Sequence, residues 1–281
     1  MVDKLVRSVL SRSATLLRRT PLGRARFMTR LQDIIVLLLN RNNIVDSGEF
    51  RIKVHSPTDF LAKKLITYGI YEKHLVDLMR SLVRPGDTVL DVGANIGCHT
   101  LYLSRAVGPT GKVLAFEPDV ENLTLLQENL RTNRCDNVIV FPFALGSENG
   151  IRQLFVDDTN RGAQGFANSR EATRSITVEV RRAADLIPEF RPSLAKIDVE
   201  GAEPLVIGGM NHKPRHLVFE FIPSLITAVG NDPLQFLSDL VAEGYTIFRI
   251  EGTKLVPLNP RNLLDFVKRD DIDYNLFARR T

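Results

Sequence analysis

Short apolar runs recur along the middle of the chain, and stretches with helical spacing lie between them. Thr88–Val92 (TVLDV), Lys112–Phe116 (KVLAF), Val138–Phe141 (VIVF), Leu194–Ile197 (LAKI) and His216–Phe221 (HLVFEF) each read as a buried strand. Residues 96–107 and 120–133 read as helices, the second with Leu123, Leu126 and Leu130 on one face. Residues 245–250 and 273–279 predict two more strands, and residues 50–54 a short one. Upstream, residues 59–82 carry helical periodicity through Leu61, Leu65, Ile66, Leu75, Leu78, Met79 and Leu82, closed by Pro85-Gly86. Alternating strand and helix predicts a parallel doubly wound α/β sheet. Residues 144–175 break the rhythm, being rich in Gly, Asn, Asp and Arg. They are expected to form a long irregular insertion, functional or mobile, with a lid over residues 157–175. Residues 175–181 alternate as an edge strand.

The break after the first buried strand carries the chemistry. VLDVGANIGCHT passes from Asp91 into Gly93, Ala94, Asn95 and Gly97 and then into a helix. Glycine has no Cβ and tolerates positive φ, so such a turn lets backbone approach a ligand closely. In open α/β sheets this first strand-to-helix turn is where nucleotide-like cofactors sit. A dinucleotide fingerprint would need a third glycine where Thr100 stands, and there is no GxxxxGK[ST] loop. Asp91 would repel a phosphate and suits a ligand bearing an ammonium and a sulfonium, as S-adenosylmethionine does. The second strand ends in Glu117 and Pro118, and an acid there accepts hydrogen bonds from both ribose hydroxyls. Glu117 would serve NAD equally well. The glycine pattern favours the methyl donor, and an NAD-binding oxidoreductase stands as the alternative.

Three further acids fall near strand ends. Asp198 and Glu200 follow Leu194–Ile197, where they could orient an acceptor hydroxyl or take its proton. The competing reading of DVEGAE is a helix start with Glu203 in the first turn. Glu220 interrupts the otherwise apolar LVFEF, and a buried carboxylate needs a ligand or a partner such as Arg215 or Lys196. Asp198, Glu200 and Glu220 are the catalytic candidates. Asp198 also borders the donor crevice. Asp198 and Glu220 could hold a divalent ion through oxygen, but no metal is expected. His99, at the helix start, reads as a partly buried, satisfied histidine. Arg161, Arg170 and Arg174 read either as greeting an anionic acceptor or as a solvated loop.

Taken together, YGIYEKHLVDLMRSLVRPGDTVLDVGANIG, FEPDVENLTLLQENLRTN, NVIVFPFALG and LAKIDVEGAE resemble the FkbM family of S-adenosylmethionine-dependent methyltransferases, over about residues 65–222. The resemblance implies a Rossmann-like class I methyltransferase fold, a seven-stranded, mostly parallel sheet with an antiparallel last strand. It also implies O-methylation of sugars, glycolipids, polyketides or related metabolites. It places the adenine against Ala144 and makes Glu72 a donor-facing acid meeting the methionine ammonium, with a plain surface glutamate as the other reading.

Composition bounds the rest. A chain of 281 residues, 44% hydrophobic and 25% charged, suits one globular core plus a small extension. The boundaries expected are a basic N-terminal helical extension over residues 1–49 and a methyltransferase domain over 50–281. Cys98 and Cys135 form no disulfide framework or metal spacing, which suits a reducing cytoplasm. Residues 1–30 hold eight basic side chains against Asp3, while the whole chain is only +4, so the body is net acidic. A nucleic-acid enzyme would spread its basic charge over the body. No nucleic-acid substrate is therefore expected, with RNA or protein methylation kept as an alternative. The apolar stretch 34–39 is too short to span a bilayer, which needs about 20 residues. Asn40, Arg41, Asn42 and Asn43 follow it where a signal peptide would have small residues. The segment reads as a helix packing on the domain with a solvated basic face. Peripheral membrane contact through an amphipathic helix is the alternative.

Overall fold

The computed structural model describes residues 42–157, 164–167, 172–186, 191–268 and 274–280. The helical extension expected over residues 1–41, and Arg161 and Arg170, lie outside the described residues.

Ile44–Asp46 (β1) and Arg51–Lys53 (β2) form an antiparallel hairpin. The boundary drawn at 49/50 thus falls inside a hairpin whose Val45, Phe50 and Ile52 are buried in one cluster with the body. Asn129 and Asn133, about one turn apart at the end of the helix over residues 120–132, satisfy its outer edge. Lys53 N–H donates to Asn129 Oδ1 at 2.7 Å and Arg51 N–H to Asn133 Oδ1 at 3.0 Å.

The helical stretch expected over 59–82 is two helices, Phe60–Tyr68 (α1) and Lys73–Leu82 (α2), separated at residues 69–72. The break turns at Glu72, whose φ is 46°. Then come Thr88–Val92 (β3), Cys98–Val107 (α3), Lys112–Phe116 (β4), Val120–Thr132 (α4) and Val138–Phe141 (β5). The stretch expected to be irregular instead holds Ala144–Gly146 (β6) and Gly150–Val156 (β7), and Arg174–Arg182 (β8) follows. β8 is not an edge strand. It is the middle of a separate three-stranded sheet of order β6-β8-β7. The chain returns through Ala183–Leu186 (α5), Leu194–Ile197 (β9), Glu203–Gly208 (α6), His216–Phe221 (β10), Pro223–Ala228 (α7), Pro233–Ala242 (α8), Tyr245–Glu251 (β11), Lys254–Pro257 (β12), Leu263–Val267 (α9) and Tyr274–Arg280 (β13).

The main sheet has the order β12-β11-β13-β10-β9-β3-β4-β5. Seven of its strands are the Rossmann-like class I set, with β13, last in sequence, antiparallel to both neighbours. The eighth, β12, is an added hairpin partner of β11. Strand side chains alternate between two faces. Leu90, Val92, Leu114, Phe116, Ala195, Ile197, Leu217 and Phe219 pack with α6, α8 and α9. Val89, Val113, Leu194 and Val218 pack with α2 and α3. β4 lies on one side of β3 and β9 on the other, so successive crossovers diverge at β3. A crevice therefore opens at the carboxyl ends of these strands.

Candidate active site

A cavity of about 270 Å³ occupies this crevice. From the loop after β3 it takes Gly93, Ala94 and Asn95; from the loop after β4, Glu117 and Pro118; from β6, Ala144 and Leu145. Lys196 comes from β9, Asp198 and Glu200 from the loop after it, Glu220 from β10, Asn275 from β13, and Tyr71 and Glu72 from the break between α1 and α2. Of the residues expected at the site, Glu72, Gly93, Ala94, Asn95, Glu117, Pro118, Ala144, Asp198, Glu200 and Glu220 all line this one space. Asp91 and Gly97 do not.

Asp91 sits on the other face of β3. It is fully buried, accepts from Thr100 Oγ1 at 2.6 Å and lies 3.4 Å from Lys196 Nζ. The direct donor contact expected of Asp91 gives way to an interior ion pair, because strand alternation aims residue 91 at α3. Gly97 also does something other than expected. A Cβ there would stand 2.6 Å from Leu126 Cδ1, at a φ of 92°, so residue 97 is glycine to let α4 pack on the loop. Gly93 does line the cavity, yet a Cβ on it would overlap the carbonyl oxygen of Asp198. The two strand-end loops touch through it.

Glu117, expected from the sequence at the ribose, is fixed by two backbone donors. Its Oε2 accepts from Asn95 N–H at 2.8 Å and its Oε1 from Asp119 N–H at 2.9 Å, fixing the carboxylate at the cavity wall. Burial pushes it up to about 7, against the pull of those backbone donors.

Lys196 was considered from the sequence only as a partner for Glu220, but it forms the floor of the cavity. Its Nζ donates to the Gly93 carbonyl at 2.9 Å and lies 3.4 Å from Asp91 and 3.3 Å from Asp198. Burial opposes its charge, but the carboxylates of Asp198, Asp91 and Glu72 outweigh burial and hold it above the ordinary lysine range. A charged residue inside the apolar LAKI was a legible signal, of the same kind as Glu220 in LVFEF.

One carboxylate oxygen each from Asp198, Glu200 and Glu220 lies within 4.8 Å of the others. Such spacing could hold a hard divalent cation or the hydroxyl groups of a ligand. Glu203, by contrast, shapes the loop. Fully buried, it accepts from Val199 N–H at 3.1 Å and Gly201 N–H at 3.3 Å, and burial pushes it up to about 7. His99 is buried, not partly exposed, with Nε2 3.4 Å from Glu72 Oε2. Burial, then the charges of Lys196 and His74, push it well below the ordinary imidazole range, so it is neutral. Burial raises the Cys98 thiol to about 12, which makes it a wall residue and not a nucleophile. Arg174 pairs with Glu121 at 3.0 Å on the surface.

Gln164 and Phe166, unforeseen from sequence, close another wall. Gly165 bridges to Phe155 on β7, and Gln164 Nε2 donates to Asp119 Oδ2 at 3.0 Å. Residues 164–167 are among the described residues of the segment expected to be a lid. Among the described residues, no helix is long and apolar enough to cross a membrane.

The residues present fit a cationic, adenosine-bearing donor. Glu117, after β4, and Asp198, after β9, stand two strands apart, roughly 10 Å. Among the described lining residues, the acids Glu72, Glu117, Asp198, Glu200 and Glu220 stand with one lysine, Lys196. The chain is 28% identical over 194 residues to "Methyltransferase 1" of Beauveria bassiana, covering 60% of this chain and 78% of that protein. It is 25% identical to the hexuronic acid methyltransferase AglP of Haloferax volcanii (60% and 68% covered). It is 30% identical to the 31-O-demethyl-FK506 methyltransferase FkbM of Streptomyces tacrolimicus (54% and 68% covered). The Methyltransferase FkbM domain model matches residues 91–246. With this match spanning more than half of its length, the chain belongs to the FkbM methyltransferase family and is an S-adenosylmethionine-dependent enzyme.

Proposed function

We propose that the protein methylates a hydroxyl oxygen on a small-molecule or glycan acceptor, such as a sugar, a glycolipid or another secondary metabolite. The observation that carries this reading is the gathering of Asp198, Glu200 and Glu220 within 4.8 Å at the cavity wall. Carboxylates in that number accept hydrogen bonds from vicinal hydroxyls. Two relatives whose names specify a hexuronic acid and an O-demethyl compound as substrates support an oxygen acceptor.

When bound, S-adenosylmethionine supplies an already activated methyl group, so the protein's task is alignment and proton removal. Glu117 and the Gly93–Asn95 backbone hold the donor end, Ala144 and Leu145 give the adenine an apolar wall, and Glu72 faces the methionine end. Asp198 accepts the hydroxyl proton as the oxygen–carbon bond forms and the carbon–sulfur bond breaks, the sulfur keeping the electron pair. Glu200 and Glu220 orient the acceptor.

The test is a panel of hydroxyl-bearing sugars, glycolipids and polyketides with labelled donor. One acceptor should gain an alkali-stable methyl ether. Asp198→Ala should slow that turnover by about 10²–10⁴-fold while binding S-adenosylhomocysteine within tenfold of wild type. Methyl transfer to nitrogen, RNA or protein, or full turnover in Asp198→Ala, overturns the assignment.

A further inference from the structure

We infer that Lys196 sets the balance between donor and product in this pocket, by placing one buried positive charge among the acids that attract the donor's sulfonium. This rests on the cavity being the donor site.

Lys196 is only 4% exposed, yet it forms part of the cavity wall. Its position is fixed from three sides: the Gly93 carbonyl from the glycine loop, Asp91 from the neighbouring strand and Asp198 from its own loop. Asp91 stands directly opposite Lys196 in the β3–β9 register. The pair is therefore set by the register of two adjacent strands. A structural tie between β3 and β9 would not need a charge, since well-packed apolar residues of similar volume generally hold a fold as well as a buried ion pair. A charge kept at the cavity floor acts on whatever lies in the cavity.

Two ligands of this site differ in charge where the reaction occurs. S-adenosylmethionine carries a sulfonium; S-adenosylhomocysteine carries a neutral thioether. The walls hold Glu72, Glu117, Asp198, Glu200 and Glu220. Such a wall, uncompensated, would bind the sulfonium most strongly before transfer and less strongly as its charge disperses, which raises the barrier. Lys196 offsets part of that field. It weakens ground-state attraction to the cation and leaves attraction to the neutral product nearly unchanged. Asp91, held on the far side of Lys196 and away from the cavity, limits how far this correction goes.

The experiment is calorimetric titration of S-adenosylmethionine and S-adenosylhomocysteine into wild type, Lys196→Met, Lys196→Arg and Asp91→Asn. The readout is the ratio of the two dissociation constants, in which any general loosening of the pocket cancels. Removing the cation should shift the ratio toward S-adenosylmethionine by roughly tenfold to fiftyfold, the effect of one charge about 7 to 12 Å away at an effective dielectric of about 20. Lys196→Arg should keep the wild-type ratio. Asp91→Asn should move it the opposite way, and that variant decides the matter alone if Lys196→Met does not fold. Sinefungin, with a cationic amine in place of the methylated sulfur, should follow S-adenosylmethionine. An unchanged ratio in Lys196→Met, or in Asp91→Asn where only that variant folds, overturns the inference. Failure of both ligands to bind wild type would instead remove the donor-site reading beneath it.

Discussion

Replacing Glu117 by glutamine tests the donor end of the pocket most directly. Both carboxylate oxygens already take a backbone donor, Asn95 N–H on Oε2 and Asp119 N–H on Oε1. Their remaining lone pairs are what a ribose diol would use. Glutamine keeps one acceptor oxygen but turns an NH2 group against one of these fixed N–H donors, and it removes the charge. The loss is that of a hydrogen bond to an ionised acceptor, about 2 kcal/mol, or about thirtyfold in affinity for S-adenosylhomocysteine. The pH dependence makes the assay sharper. Burial raises Glu117 to about 7 in the empty protein, and ligand binding needs the ionised form. Wild-type affinity should therefore weaken about tenfold between pH 8 and pH 6. In Glu117→Gln that dependence should vanish, any titration of the ligand itself remaining as the baseline. Calorimetry of both proteins at four pH values reads this. Wild-type affinity in the variant, or an identical slope in both, refutes the assignment of Glu117 to the ribose.

Two predictions concern stability. Glu117 and Glu203 both titrate near 7 in the folded protein because burial disfavours their charge. Each therefore contributes stability that is full below the unfolded value of about 4.3 and is lost as pH rises through about 7. Denaturant melts of the ligand-free protein should show stability rising from pH 8 to pH 6, by about 1.4 kcal/mol in total for each group. Glu203→Gln should flatten that slope, and an unchanged slope would refute the burial of an ionisable Glu203. Gly97→Ala should lower stability by about 2 kcal/mol, from left-handed backbone strain added to the 2.6 Å approach of Leu126 Cδ1. Gly150→Ala, where a Cβ meets nothing within 4 Å, should stay within about 0.5 kcal/mol of wild type in the same urea titration.

The parallel strands were legible because burial on both faces leaves an unmistakable mark. Thr88–Val92, Lys112–Phe116, Val138–Phe141, Leu194–Ile197 and His216–Phe221 begin and end where their apolar runs do. The small sheet left no such mark. β7 exposes Gly150–Gln153 and is buried only near its far end, so nothing in GIRQLFV alternates long enough to predict a strand. Its pairing with β8 comes from residues 18 to 30 positions away. β12 failed for the same reason, being exposed or half-buried throughout. The break between α1 and α2 was hidden by its own apolar residues. Ile70 and Tyr71 continue the periodicity, yet they pack on the core from a turn and not from a helix.

At the site, residue type was legible and side-chain direction was not. Every acid at a strand end could be read from the sequence, but a strand offers alternate residues to opposite faces. Asp91 and Glu117 each lie at the end of an apolar run. Glu117 falls just past β4, where the chain has left the sheet and its carboxylate is turned to the cavity. Asp91 is still within β3, one residue before its end, and its carboxylate is committed to Thr100 and Lys196. Two positions, from one residue before a strand's end to one residue past it, separate an acid that meets a ligand from one that balances a buried lysine. The same two-residue step puts Lys196, inside β9, beneath the cavity and Asp198, just beyond it, at the wall. The ion pair Asp91–Lys196 and the acids Glu117 and Asp198 are thus a single arrangement. Each acid beyond a strand end faces the cavity, and the charges two residues earlier, paired across β3 and β9, govern the field in which it works.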